Sequence, residues 1–323
     1  MKTILEVDNL NMHYETLEGN VVAVKNVSFT VAKGESFGLV GESGCGKSSV
    51  AAALLQLQAE NAVITNGSIL VNDTELVGMS EKSLRKIRWN TISIVFQGAM
   101  NSWNPVIKIG EQIREAIREH FPENSKSENL NKIYELFDIV GLQHTTIDRY
   151  PHELSGGMKQ RAMIALALSC NPDMVIADEP TTALDVVIQD QILKEIKKIQ
   201  KLLGLSLIYI SHDIAVIAEM TDNMAVMYAG HIIEKGPTKL LFNNPQHSYT
   251  KLLLESTPSI VGSKIKLRAL EGEPPSLINI TDKCAFSPRC PEPSKDCKDG
   301  VISMKLIEKD QDHWVDQCCV NCG

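Results

Sequence analysis

Gly41-Glu42-Ser43-Gly44-Cys45-Gly46-Lys47-Ser48 fits the pattern Gly, four residues, Gly-Lys-Ser/Thr, and the reading of this stretch decides the fold. Ser36-Phe37-Gly38-Leu39-Val40 before it reads as a short apolar strand, and residues 47–56 read as a helix. In that strand, loop, helix context, Gly41, Gly44 and Gly46 allow positive φ and a close backbone approach, so that successive N–H groups can ring an anion. The helix start adds unpaired N–H groups and roughly half a positive charge. Lys47 would then reach β- and γ-phosphates while the Ser48 hydroxyl holds Mg²⁺. The competing reading is a glycine-rich turn with no ligand. Cys45 is read as a filler of a loop position.

The chain has 323 residues, more than one average domain, so one large domain with a smaller unit is expected. Hydrophobic residues at 43% and charged residues at 22% describe an ordinary globular protein. A formal net charge of −8 argues against nucleic acid or an anionic lipid surface as the main partner. No apolar run reaches the roughly 18–20 residues that span a bilayer, and Met1-Lys2-Thr3-Ile4 lacks a signal-peptide core, so the chain is expected on the cytoplasmic side. Six of the eight cysteines follow position 283, which in a reducing compartment favours metal binding over disulfides.

Residues 4–10 and 21–31 alternate apolar with polar, as in Val22, Val24, Val27, Phe29 and Val31, and read as antiparallel strands of a small sheet. Tyr14, in the connection between them, either stacks on an adenine ring or is partly buried filler. Residues 68–71 and 92–96 are strand-like, and Gln97 follows directly; its amide serves Mg²⁺ or the attacking water, or else the strand simply ends in solvent. From 98 to about 169 the pattern is helical, with Ile109, Ile113, Ala116 and Ile117 on one face and Leu130, Ile133, Leu136, Phe137 and Val140 on another. Such an insertion suggests a helical subdomain able to move separately.

That segment ends in Tyr150-Pro151-His152-Glu153-Leu154-Ser155-Gly156-Gly157-Met158-Lys159-Gln160-Arg161. Ser155 is an expected N-cap, and Gly156 and Gly157 leave N–H groups bare at a helix start, a second anion site or a plain capping turn. Met174-Val175-Ile176-Ala177-Asp178-Glu179 is an apolar run ending in two carboxylates, as in a buried parallel strand. Asp178 suits Mg²⁺, and Glu179 suits a general base on the attacking water, a role worth about 10²- to 10⁴-fold in rate. Thr182-Ala183-Leu184-Asp185 opens an amphipathic helix to about Leu203, then a buried strand over 205–210 leads to Ser211-His212-Asp213. His212 at that strand end could bond a γ-phosphate.

Together these residues resemble the nucleotide-binding subunits of ABC transporters. Walker A falls on residues 41–48, the aromatic A-loop on Tyr14, the Q-loop on Gln97, the signature on Leu154 to Arg161, Walker B on Met174 to Asp178 with Glu179 as the catalytic base, the D-loop on Ala183-Leu184-Asp185 and the switch histidine on His212. The resemblance covers about residues 1–245 and implies an α/β fold, a P-loop ATPase core with an antiparallel β subdomain, an α-helical subdomain at about 98–169 and a C-terminal Cys-rich extension over 246–323. It puts ATP on Tyr14, Gly41, Ser43, Gly44, Cys45, Gly46, Lys47, Ser48, Ser49, Asp178 and Asp185, and Mg²⁺ on Ser48, Gln97 and Asp178. Catalysis falls on Glu179, His212 and Gln97. It also implies a head-to-tail pair with a second ATPase subunit, a paralogue or a second copy, whose phosphate loop would face Ser155, Gly156 and Gly157 in trans. Two transmembrane permease subunits would be contacted through the segment after Gln97, with Trp103 and Pro105, and an external binding protein would act indirectly.

Asn244-Pro245-Gln246-His247-Ser248-Tyr249-Thr250-Lys251-Leu252-Leu253 looks like the corresponding stretch of dipeptide and oligopeptide importer ATPases, with Ser248 where that pattern usually has Pro. Pro274-Pro275-Ser276-Leu277 and the Cys-rich tail belong to the same pattern, which nickel importers share. The resemblance implies a [4Fe-4S] cluster on Cys284, Cys290, Cys297 and Cys318, with Cys319 as a competing fourth ligand. Zinc is one alternative, because Cys319-Val320-Asn321-Cys322 is a CxxC pair and His313 is near in sequence, and free or disulfide-linked thiols are the other. Either metal would order a tail of about 75 residues that is poor in large apolar side chains. The function expected is ATP hydrolysis powering peptide uptake from the cytoplasmic face of the membrane. A soluble ABC ATPase acting on DNA or ribosomes would carry a long coiled-coil insertion or a second ATPase domain, and a non-catalytic subunit would lack Lys47, Asp178, Glu179 or His212.

Overall fold

The structure is a computed structural model that describes residues 2–98, 102–182, 184–256, 271–278, 280, 283–300 and 304–320. The chain divides into two compact units, one of Met1–Ile4, Ala32–Glu35 and Gly78–Ile208, the other of Leu5–Val31, Ser36–Val77 and Tyr209–Gly323.

In the first unit, strands Ile92–Val95 and Met174–Asp178 pair in parallel, with Ile92 opposite Met174 and Val95 opposite Ala177. Every residue of Met174–Asp178 is buried, so a continuous apolar run does mark a strand covered on both faces here. Helices Ile109–His120, Lys126–Ile139, Gly156–Leu168 and Val186–Leu203 supply the helical part. Ile109, Ile113 and Ile117 line one helix face and are fully buried, as 3.6-residue spacing demands. Ile133, Leu136 and Phe137 do the same on the next helix, where Asn129 rather than Leu130 is buried at the start. Ser125 and Glu128 close a reciprocal capping box that fixes where that helix begins. The predicted helical stretch is broken by two short 3₁₀ turns, His144–Asp148 and Pro151–Glu153. A further helix, Glu81–Ile87, has seven residues of which only Leu84 is buried, too few to show a periodic apolar face in the sequence.

The second unit holds an antiparallel sheet in the order Gly19–Ala32, Thr3–Thr16, Ala62–Val71, Thr74–Glu75. Its alternation buries Val7, Leu10 and Met12 on one strand and Val24, Val27, Phe29 and Val31 on its neighbour. The first strand runs on to Thr16, so Tyr14 is a strand residue opposite Ala62, where the sequence put it in a connection. The hairpin turn is only Leu17-Glu18, and register continues through Tyr14 because a partner strand is there to pair with.

The same unit contains Ser36–Val40, fully buried and parallel to Asn223–Tyr228. Asn223–Tyr228 pairs with His231–Pro237, which pairs with His313–Asp316, which pairs with Leu306–Asp310, all antiparallel. Two strands from the Cys-rich tail therefore extend the sheet that carries Ser36–Val40. Among the described residues no helix is long and apolar enough to cross a membrane.

Candidate functional site

Strand Ser36–Val40 delivers the phosphate loop, and helix Lys47–Leu54 follows it with Gly46 as N-cap. Gly46 sits at φ +109°, and a Cβ there would lie 2.1 Å from the carbonyl oxygen of Ala23, so only glycine fits. With glycine at the cap, no side chain occupies the first N–H groups of the helix, which leaves them to an anion. The Lys47 ammonium is buried and donates to the carbonyls of Gly41 (2.7 Å) and Glu42 (2.9 Å), so it lies over the loop. Ser43, Gly44 and Ser48 are exposed. Cys45 is buried, and burial pushes its thiol up against the pull of Lys47, which suits a packing role. Tyr14 lies within 3.0 Å of Ser49, hydroxyl to hydroxyl, so two of the residues expected to bind ATP are in contact.

The loop is held from the C-terminal part of the chain. Tyr249 Oη accepts the Glu42 N–H at 3.0 Å, and Arg289 grips the Glu42 carboxylate through Nη1 (2.7 Å) and Nη2 (3.0 Å). Sequence reading assigned neither residue a role. Tyr249 belongs to the quoted 244–253 stretch, and Arg289 is marked in the sequence only by standing next to Cys290.

The carboxylates sit in the other unit. Asp178 is the buried last residue of its strand. Glu179 follows at φ +46°, a left-handed conformation that costs a non-glycine residue about 1–2 kcal/mol. Backbone strain of this kind concentrates where a side chain has to be aimed. The Glu179 carboxylate accepts from Gln97 Nε2 and from Thr182 Oγ1, both at 2.9 Å. Ser155 caps helix Gly156–Leu168 by accepting the Met158 N–H, as its sequence pattern predicted, and Asp185 caps Val186–Leu203, the helix expected to open there, by accepting the Ile188 N–H at 3.0 Å. Trp103 is buried and its Nε1 donates to the Lys159 carbonyl. Ala183 lies outside the described residues. In the unit of the phosphate loop, His212 is exposed directly after strand Ser206–Ser211.

Cys318 stands 3.4 Å from Cys284 and 3.8 Å from Cys319, sulfur to sulfur, and no disulfide links any of them. The ligand atoms of His247, Cys318 and Cys319 lie within 4.8 Å of one another. The one proton of the Cys318 thiol is shared between the two neighbouring sulfurs, which lowers the pKa of Cys284 and of Cys319 and raises its own. Burial opposes a charged His247, yet the Cys319 sulfur beside it wins and raises the imidazole. Cys290 keeps its proton mainly because it is buried, and it feels the charges of Cys319 and Cys284. Cys297 is buried beside Ser294, which donates to its sulfur at 3.1 Å. The histidine next to the thiols is thus His247; His313, the one the sequence offered for zinc, instead bonds the buried Glu234 at 2.8 Å because strand pairing carries it there. Cys322 lies outside the described residues. His247 and Cys318 are buried and Cys319 is half-buried, and thiol and imidazole are donor types that metal sites use.

A family model described as ABC transporter matches residues 24–182, and one described as oligopeptide/dipeptide transporter, C-terminal region, matches 233–297. The dipeptide transport ATP-binding protein DppD of Bacillus subtilis is 42% identical over 313 residues, covering 96% of this chain and 93% of that protein. The oligopeptide transport ATP-binding protein AppD of the same organism is 43% identical over 300 residues, covering 92% and 91%. Among solved structures, a dimeric post-hydrolysis state of the ATP-binding cassette MJ0796 bound to ADP and Pi matches with a TM-score of 0.65 at 26% identity, covering 72% of this chain and 98% of that one. CbiO1 from Clostridium perfringens, part of an ABC transporter complex, matches with a TM-score of 0.66 at 27% identity, covering 76% and 92%.

Proposed function

We propose, from the premise that the chain belongs to the ABC transporter family of ATPases, that it is the subunit whose ATP hydrolysis powers uptake of dipeptides or oligopeptides through a membrane importer. The observation that carries the peptide reading is the double match, an ABC transporter segment at 24–182 joined to an oligopeptide/dipeptide transporter C-terminal region at 233–297. In this reading the motifs divide the chain into an ATPase domain over 1–245 and an extension over 246–323.

In the mechanism we propose, the N–H groups of the 41–48 loop and Lys47 bind the β- and γ-phosphates, and Tyr14 stacks on the base. Ser48, Gln97 and Asp178 would hold Mg²⁺, which supplies charge neutralisation on the phosphate oxygens. Glu179 takes a proton from the attacking water as its oxygen bonds the γ-phosphorus and the bond to the ADP oxygen breaks, leaving ADP and phosphate. Gln97 and Thr182 orient that carboxylate, His212 bonds the γ-phosphate, and Asp185 and the Ser155-Gly156-Gly157 turn serve across a head-to-tail pair of ATPase subunits. That pair would work on two permease subunits at the cytoplasmic face of the membrane, peripherally bound.

The tail is proposed to hold a metal centre. Cys284, Cys290, Cys297 and Cys318 are the residues for a [4Fe-4S] cluster, while the closeness of His247, Cys318 and Cys319 supports zinc on those three. About four irons per chain with visible colour after purification without oxygen supports the cluster, and one colourless zinc supports the second set.

The importer reading is tested with the chain assembled with its permease and partner ATPase in proteoliposomes. ATP turnover should rise when a dipeptide and its binding protein are supplied; stimulation by nickel alone, or by no solute tried, overturns it.

A further inference from the structure

We infer that Arg289 is a positioning residue for the nucleotide site, so that the C-terminal extension is a working part of the phosphate loop rather than an appendage to it. The inference rests on the assignment of 41–48 as the ATP site.

Its basis is a chain of contacts inside one unit. Arg289 is almost fully buried, and its guanidinium meets Glu42 through two parallel hydrogen bonds, the geometry that makes arginine–carboxylate pairs both strong and directional. The same guanidinium is itself fixed, because Nη1 donates to Tyr228 Oη at 3.3 Å and Nε donates to the Glu271 carbonyl at 3.0 Å. Glu42 is the second residue of the phosphate loop. Its carbonyl receives the Lys47 ammonium, and its N–H is held by Tyr249 from helix Ser248–Glu255. Arg289 thereby sets the backbone on which Lys47 rests.

Charge gives a second reason. A loop built to receive a polyphosphate gains nothing from a carboxylate on its rim, since like charges a few ångströms apart repel. Glu42 is therefore tolerable there only while a cation neutralises it, and Arg289 is the side chain placed to do so.

The anchoring of Arg289 explains why the cation comes from the tail. Arg289 N–H donates to the Phe286 carbonyl, and Phe286 packs edge-on against both Tyr228 and Tyr249 at 5.3 and 5.4 Å between ring centroids. Phe286 is buried, as are Tyr228 and Tyr249, so the turn over 284–289 is locked to the same aromatic cluster that supports the loop. Cys284, at the start of that turn, touches Cys318.

The test is Mg-ATP affinity, measured by calorimetry on the full-length chain carrying Glu179→Gln to suppress turnover. Arg289→Gln should weaken ATP at least tenfold, because Glu42 is left unneutralised, and Arg289→Lys should fall between it and the parent. Glu42→Gln combined with Arg289→Gln should recover most of the loss, a rescue that a merely structural arginine would not show. Melting without nucleotide checks that each variant is folded, and the double variant keeps the test open if Arg289→Gln alone does not fold. Affinity within twofold of the parent in Arg289→Gln, or a double variant as weak as the single, overturns the inference. Lys47→Ala separates the two readings: if it abolishes binding while Arg289→Gln does not, the nucleotide site stands and the role of Arg289 falls. If neither weakens ATP, the assignment of the loop itself has failed.

Discussion

Gln97 Nε2 donates to Glu179 Oε2 across 2.9 Å, and the register of the two strands behind them explains the meeting. Val95 pairs with Ala177 in parallel, so two residues further along each strand the amide and the carboxylate stand side by side. With Thr182 bonding the same carboxylate, the side chain assigned as general base is aimed by two donors and by a strained backbone.

Replacing Gln97 by Glu would set a second carboxylate against Glu179. Like charges at that distance raise the pKa of the pair, because both ionising together is unfavourable. Turnover at neutral pH should fall at least tenfold, and the acid limb of the pH–rate profile should move to higher pH, whereas Gln97→Ala should lower the rate without moving the limb. A pH–rate series on the three proteins checks this.

Tyr14 tests base stacking separately from its hydroxyl contact. Stacking contributes about 1–3 kcal/mol per base, so Tyr14→Ala should weaken ATP roughly 5- to 150-fold. Tyr14→Phe, which removes only the bond to Ser49, should stay within about threefold of the parent. Titration with ATP of both variants decides the point; equal losses would assign the role to the hydroxyl.

Glu234 offers a pH prediction remote from the nucleotide. Burial would raise its carboxyl, but His313 and the N–H groups of Gln246 and His247 outweigh burial and hold it below the usual glutamate range. A lowered carboxylate contributes stability that is present above the ordinary value near 4.5 and is lost as pH falls below it through the folded-state value. Melting of the parent should therefore drop below that pH more steeply than melting of Glu234→Gln. At neutral pH the variant should be less stable by about 1–3 kcal/mol, since an amide cannot satisfy the same donors.

Much of the fold was legible because it is written in short-range signals. Ser155 announces a helix start by chemistry that acts over three residues, Ile109, Ile113 and Ile117 announce a buried face by period, and Met174–Asp178 announces a buried strand by having no polar face. What was missed is long-range. Arg289 and Glu42 are 247 residues apart, and no periodicity links them. His247, not His313, reached the cysteines because pairing of His313–Asp316 with His231–Pro237 committed His313 to Glu234. Alternation alone puts Tyr14 in a connection, because it does not tell where a strand stops when a partner, here Ala62, prolongs it.

The most direct test of the account compares ATP binding and ATP turnover in the parent and in Glu179→Gln. If Glu179 is the base, the variant binds ATP within about threefold of the parent while turnover falls at least ~10²-fold, the scale of a lost general base. Turnover within a few-fold of the parent, with binding intact, would contradict the assignment of Glu179 and with it the mechanism built on the strand that carries it.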